Sequence, residues 1–123
     1  MNKLLLLLLL LPTTAFSQSF LELAELDAKK SKGITVVEFW AEWNKSNEVA
    51  FLNDLKDCRA YRMCIDRQPK VVGQYSISSV PTVVVFDNGL EVLRFNPTIM
   101  MQLAATKDEI QEEIDDIILK KFQ

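Results

Sequence analysis

The stretch Val37-Glu38-Phe39-Trp40-Ala41-Glu42-Trp43-Asn44-Lys45-Ser46-Asn47 decides how this chain folds. Reading upstream, residues 34–40 are apolar at nearly every position except Glu38. A strand with apolar side chains on both alternating faces is one covered on both sides, as in the sheet of an α/β domain. Reading downstream, residues 44–57 predict a helix, with Val49, Leu52 and Leu55 as its inward stripe. Asn44 and Asn47 stand at the start of that helix. Asparagine caps helices well, because its side-chain oxygen accepts from the unpaired N–H groups of the first turn. The same terminus offers a second reading, in which it holds a neutral or anionic group of a partner, helped by Lys45.

Working outward, Ser19 is a candidate N-cap for a first helix ending near Gly33, with Leu23, Leu26 and Lys30 at helical spacing. Residues 59–65 read as a second strand. Pro69 to Tyr75 reads as a short helix, since proline suits a first helical turn. Asp87-Asn88-Gly89 between two runs rich in β-branched and apolar residues predicts a hairpin. Thr106 and Glu109 form a capping box. It opens a helix with Ile110, Ile114, Ile117 and Ile118 inward, and with Lys120 and Lys121 where the helix dipole favours cations. Periodicity alone establishes a small α/β domain.

The motif quoted above resembles the active-site entry of thioredoxin: an apolar strand with a buried acid, then Phe-Trp-Ala-x-Trp, then Cys-Gly-Pro-Cys. The likeness extends through Ile65-Asp66 and Pro69 to Tyr75-Ser76-Ile77-Ser78-Ser79-Val80-Pro81-Thr82, which is similar to the family's third strand, third helix and cis-proline loop. It covers most of residues 19–122. It implies a three-layer α/β/α sandwich with a mixed central sheet. It also implies a peptide-binding edge at Val80, Pro81 and Thr82, where main-chain hydrogen bonds receive an extended segment. Pro81 has a plainer role open to it, which is to shape the entry into the following strand. Trp40 and Trp43 read first as family packing residues, with Trp43 a candidate wall of the groove.

The departures from the family are chemical. Asn44-Lys45-Ser46-Asn47 stands where the cysteine pair belongs. A carboxamide forms no thiolate, and the thiolate is the nucleophile of thiol–disulfide exchange. Glu38 takes the place of the acid that relays protons to the second cysteine, and no cysteine follows to receive one. Arg62 aligns with the family's lysine on the neighbouring strand, so a buried Glu38–Arg62 ion pair is expected. The segment from Asn47 to Asp66 is shorter than in the family by about two helical turns. Asn96 to Ala105 is longer than the usual connection after the last strand. Its Ile99, Met100, Met101 and Leu103 pack as core, cover the groove or offer an adaptable contact surface, with Met100 the candidate binding residue.

Cys58 and Cys64 are the only cysteines. With residues 59–64 extended at about 3.3 Å each, their Cα atoms lie roughly 20 Å apart, well beyond the ~7 Å that a bridge tolerates; a strand starting only after Arg62 would restore the bond. Cys64 reads as a small buried hydrophobe. Cys58 reads as a free or intermolecular thiol, and Lys56 and Arg59 beside it keep open a one-cysteine redox site. Histidine is absent, which removes Ser-His-Asp triads, Cys-His pairs and imidazole zinc sites. No cofactor or metal is called for.

Met1-Asn2-Lys3, the apolar run from Leu4 to Leu11, Pro12, and Ala15-Phe16-Ser17 read as a secretory signal peptide. The run is too short for a stable membrane span, which needs about 20 apolar residues. Residues 18–123 are then one exported domain, periplasmic or secreted. Removing residues 1–17 takes away Lys3 and no acid, leaving the 17 acids of the chain in excess over its bases. An acidic chain with scattered bases carries no footprint for nucleic acid. Three functions remain: an interaction module without dithiol activity that binds a peptide or protein; an atypical thiol oxidoreductase, related to thioredoxin and acting in redox homeostasis through Cys58 alone; and a mainly structural or folding-assistant role.

Overall fold

The computed structural model describes residues 21–123. The expected signal peptide at residues 1–17 and the Ser19 cap lie outside the described residues. Helix α1 (Leu23–Lys29) leads into strand β1 (Ile34–Trp40). Two short 3₁₀ segments, Glu42–Asn47 and Leu52–Asp54, carry the chain to β2 (Arg59–Cys64). Then follow α2 (Lys70–Gln74), β3 (Thr82–Asp87), β4 (Leu90–Phe95) and α3 (Lys107–Lys120). The sheet runs β2-β1-β3-β4, with β1 and β2 parallel and the other pairs antiparallel.

Every residue of β1 is buried. Its odd-numbered side chains Val37 and Phe39 pack with Leu26, Val71, Tyr75 and Val84 against α1 and α2. Its even-numbered Ile34 and Val36 pack with Leu52, Val83, Val85, Ile110 and Ile114 against α3. That alternation makes three layers, an α/β/α sandwich around a mixed sheet. The hairpin closes through Asn88 (φ 50°) and Gly89 (φ 89°), both in the left-handed region that a two-residue turn demands. At α3 the Thr106 hydroxyl accepts from the Glu109 N–H at 3.2 Å. The Glu109 carboxylate meets the Thr106 hydroxyl instead of completing the capping box on the Thr106 backbone.

Three expectations need correction. Helix α1 stops at Lys29, short of Gly33. Gly33 instead donates to the Asn88 side chain at 2.8 Å and accepts from the Asn88 N–H at 3.0 Å, so the hairpin claims it. Proline 69 sits at the N-cap of α2 and not inside its first turn. The largest change is the expected helix over 44–57, which is two 3₁₀ turns separated by extended backbone at Glu48 (φ −59°, ψ 150°). The reason lies in Val49. Its N–H donates to Glu38 Oε2 at 2.9 Å, and its carbonyl accepts from Arg62 Nη2 at 2.6 Å. The N–H is thereby taken out of any helical ladder, and the carbonyl, shared with Arg62, accepts only a three-residue turn bond from the Leu52 N–H at 3.4 Å. Val49, Leu52 and Leu55 are buried as an inward stripe. Their spacing of three residues is the period of a 3₁₀ turn, not of the α-helix.

Candidate functional site

The ion pair lies at the base of the site. Strand register sets Glu38 opposite Arg62 on β1 and β2. Arg62 Nε donates to Glu38 Oε1 at 2.9 Å, and Glu38 is fully buried. Burial pushes the Glu38 carboxyl above its ordinary range, while the Val49 N–H and the Arg62 guanidinium pull it back down. Together Glu38, Arg62 and the Val49 backbone bind the 3₁₀ region to the sheet. Glu38 is shielded from the surface and bonds to Arg62 and the Val49 backbone.

Above this base, Asn44 is turned inward. Its amide Nδ2 donates to the Val80 carbonyl at 3.2 Å and to the Met101 carbonyl at 3.0 Å. Its Oδ1 accepts from Asn47 Nδ2 at 2.8 Å. Gln102 Nε2 in turn donates to Asn47 Oδ1 at 3.4 Å. The chain of amides therefore runs Val80, Asn44, Asn47, Gln102. It ties three distant segments together: the turn after β1, the loop before β3, and the connection from β4 to α3. Neither asparagine caps a helix. The residue preceding the first 3₁₀ turn is Ala41, and that turn has no side-chain cap bond. The Glu42 N–H is already taken by Asp66 Oδ2 at 2.8 Å, which puts a carboxylate where an anionic partner group was expected to sit. Lys45 is exposed.

The Val80–Pro81 peptide is cis. The side chains of Val80, Pro81 and Thr82 are all buried, and the Thr82 hydroxyl donates to the Ser79 carbonyl at 2.6 Å. Of the three, Val80 alone reaches the cleft that opens beside the amide chain. That cleft, about 290 Å³, has an apolar wall of Trp43, Ile65, Val72, Ile77, Val80 and Met101. Trp43 is 63% exposed and stands at its mouth, whereas Trp40 is buried in the core.

Residues 96–105 neither pack as core throughout nor close the cleft. They form a small loop bridged between Pro97 and Leu103. Inside it the Thr98 N–H donates to Gln102 O at 2.8 Å and the Met101 N–H donates to Thr98 O at 2.9 Å. Met101, with φ 58°, turns its side chain into the cleft wall. Met100, the expected binding residue, is 71% exposed and lies outside that wall. The sequence offers Met101 only as one of four apolar residues of its loop, and it does not mark Ile65, Val72 or Ile77 as cleft residues. The signal for Met101 was its place beside Met100, but only the left-handed turn decides which of the two faces inward.

Both cysteines are free thiols, Cys64 buried and Cys58 half-buried. Burial, reinforced by the Asp57 carboxylate, pushes the Cys58 thiol up to about 11. A nucleophilic cysteine needs the opposite setting, exposed and electropositive. Lys56 and Arg59 do not supply it.

The architecture is that of the thioredoxin-like fold. Over 70 residues the chain is 31% identical to a thioredoxin of Chlamydia trachomatis, spanning 52% of this chain and 69% of that protein. Over 83 residues it is 30% identical to a thioredoxin of Mycoplasma genitalium, spanning 63% and 79%. A point-mutant thioredoxin from Halobacterium salinarum superposes with a TM-score of 0.62 at 22% identity, over 79% of this chain and 86% of that one. No model of a known protein family matches the chain. The chain belongs to the thioredoxin-like family. Among the described residues, no helix is long and apolar enough to cross a membrane.

Proposed function

We propose that this chain is an exported thioredoxin-fold protein that binds a peptide or protein partner and performs no dithiol exchange. The observation that carries this reading is the pair of hydrogen bonds from Asn44. At the position where a family member presents its attacking sulfur, this chain has an amide whose donors are committed to Val80 and Met101. Next to it an apolar cleft stays open, with a tryptophan at its mouth. Chemistry has gone from the site, and an apolar binding surface remains. Recognition there rests on burial of apolar side chains, which is worth about 25 cal/mol per Å² of surface removed from water. The leader-like pattern of residues 1–17 supports export, and the relatives named thioredoxin support an ancestry in redox chemistry.

The test is a tryptophan-fluorescence titration with a set of extended peptides rich in leucine, methionine and phenylalanine, run on the wild type and on Trp43→Phe. Alongside it, partners are captured from the exporting compartment on wild-type and Trp43→Ala protein. The reading expects saturable peptide binding and a partner that Trp43→Ala fails to retain. A cleft that binds no peptide, together with an identical catch on both proteins, would overturn it.

A further inference from the structure

Sulfur is placed unevenly among the described residues. Of their three methionines, Met63 is fully buried, whereas Met100 and Met101 are 71% and 42% exposed. Cys64 is buried, and Cys58 is half-buried with its thiol pushed up to about 11, so neither supplies a ready thiolate. The sulfur that a dissolved oxidant meets first is therefore the thioether pair at 100 and 101. Adjacent in sequence, the two face different surroundings. Met100 stands in water outside the cleft, and Met101 lines it with Trp43, Ile65, Val72, Ile77 and Val80. The loop backbone fixes that difference. Met101 sits at φ 58°, its N–H donates to Thr98 O at 2.9 Å, and its carbonyl accepts from Asn44 Nδ2 at 3.0 Å. A backbone turn that carried Met101 out of the wall would break both bonds.

We propose that Met101 is an oxidation site through which peroxides weaken the cleft, and that Met100 beside it is oxidised without that effect. In the step, a lone pair on Met101 Sδ attacks one oxygen of hydrogen peroxide. The O–O bond breaks and an S–O bond forms. Sulfur gives up an electron pair, and the proton of the transferred hydroxyl passes to the other oxygen, which leaves as water. The product is a sulfoxide, which puts a polar acceptor on what was an apolar side chain. A polar group set against apolar walls costs free energy unless it finds a donor, and the braced backbone keeps this side chain rooted in the wall. A methionine sulfoxide reductase restores the thioether. The effect rests on the reading of the cleft as a binding surface, to which it adds an oxidant-sensitive state.

Wild type, Met100→Leu and Met101→Leu are treated with rising hydrogen peroxide, and catalase then removes the excess. Peptide mass mapping locates each added oxygen. The cleft is read with the peptides rich in leucine, methionine and phenylalanine and with the uncharged dye Nile red, each protein being compared with itself before treatment. Sulfoxide is expected at Met100 first and then at Met101, with Met63 unmodified. Wild type and Met100→Leu should lose about tenfold in affinity as Met101 is converted, while circular dichroism stays that of the folded chain. Met101→Leu should hold its own starting affinity, and sulfoxide reductase should return the wild type to its original value. Three results would overturn the inference: a Met101 that stays a thioether while Met100 is consumed, a Met101 sulfoxide that leaves both probes bound as before, or an equal loss in Met101→Leu. Should Met101→Leu bind neither probe at the outset, wild type carrying sulfoxide at Met100 alone, set against wild type carrying both, decides the matter. An untreated chain that binds the dye but no peptide ends the peptide reading alone, and the dye then reads the oxidation series. An untreated chain that binds neither removes both.

Discussion

The two polar clusters of this molecule sit one above the other and differ in almost every physical respect. The lower one, Glu38 with Arg62 and the Val49 backbone, is ionic and wholly interior, and it is built from the register of adjacent strands. The upper one, Asn44 with Val80, Met101, Asn47 and Gln102, is neutral and lies at the rim, and it joins segments far apart in the chain. The upper one occupies the place where the family's chemistry would lie. In this chain the buried ion pair braces the 3₁₀ region against the sheet. The rim is a hydrogen-bonded latch of amides.

Arg62→Leu leaves Glu38 buried without its counter-charge and is expected to cost about 3–5 kcal/mol, read from urea unfolding at neutral pH. A loss below ~1 kcal/mol would mean that the pair is surplus to the fold. Asn44→Ala is the matching change at the rim. It removes the donor to two carbonyls and should cost about 1–3 kcal/mol. Its second signature is local: faster hydrogen exchange at the Thr98 and Met101 amides, with the core strands unchanged. If exchange rises evenly over the whole sheet, the latch is not a separate unit.

A pH series sharpens the contrast. Burial holds the Glu38 carboxyl above its ordinary value. The native state therefore binds its proton more tightly than the unfolded chain does. The Glu38 contribution to stability falls as pH rises from about 4.5 through its higher folded value, and is flat above that. Glu38→Gln should flatten this part of the stability curve, whereas Asn44→Ala should leave its slope untouched. A slope that survives Glu38→Gln assigns the proton to another group. The smallest expected stability change is for Trp43→Ala. Its side chain is largely in water, so the shift should stay within about 0.5 kcal/mol although peptide binding is lost. A large drop in stability would make Trp43 a packing residue and not a binding one.

Much of the fold was legible because it depends on local pattern. Strand β1 declares itself by apolar residues on both faces, the hairpin by Asn88-Gly89, and α3 by its isoleucines and its threonine cap. The 3₁₀ region was misread because Val49, Leu52 and Leu55 fit a helical stripe loosely. What overrode the helix was a tertiary demand on the backbone of a single residue, Val49, from a carboxylate and a guanidinium on two neighbouring strands. At the site, Trp43 and Asn44 could be picked out as positions, but their surroundings could not. The contact between Asn44 and Met101 joins residues from different ends of the domain, and the choice of Met101 over Met100 rests on one left-handed residue. No periodicity encodes either.

We propose that no thiol in this chain exchanges disulfides at useful rates: amides stand at the rim, and burial pushes the Cys58 thiol up to about 11. The most direct test is the rate of insulin reduction by the purified protein with dithiothreitol at neutral pH. The expected rate equals that of dithiothreitol alone, and Cys58→Ser leaves it unchanged. Turnover above that background that disappears in Cys58→Ser would contradict the account.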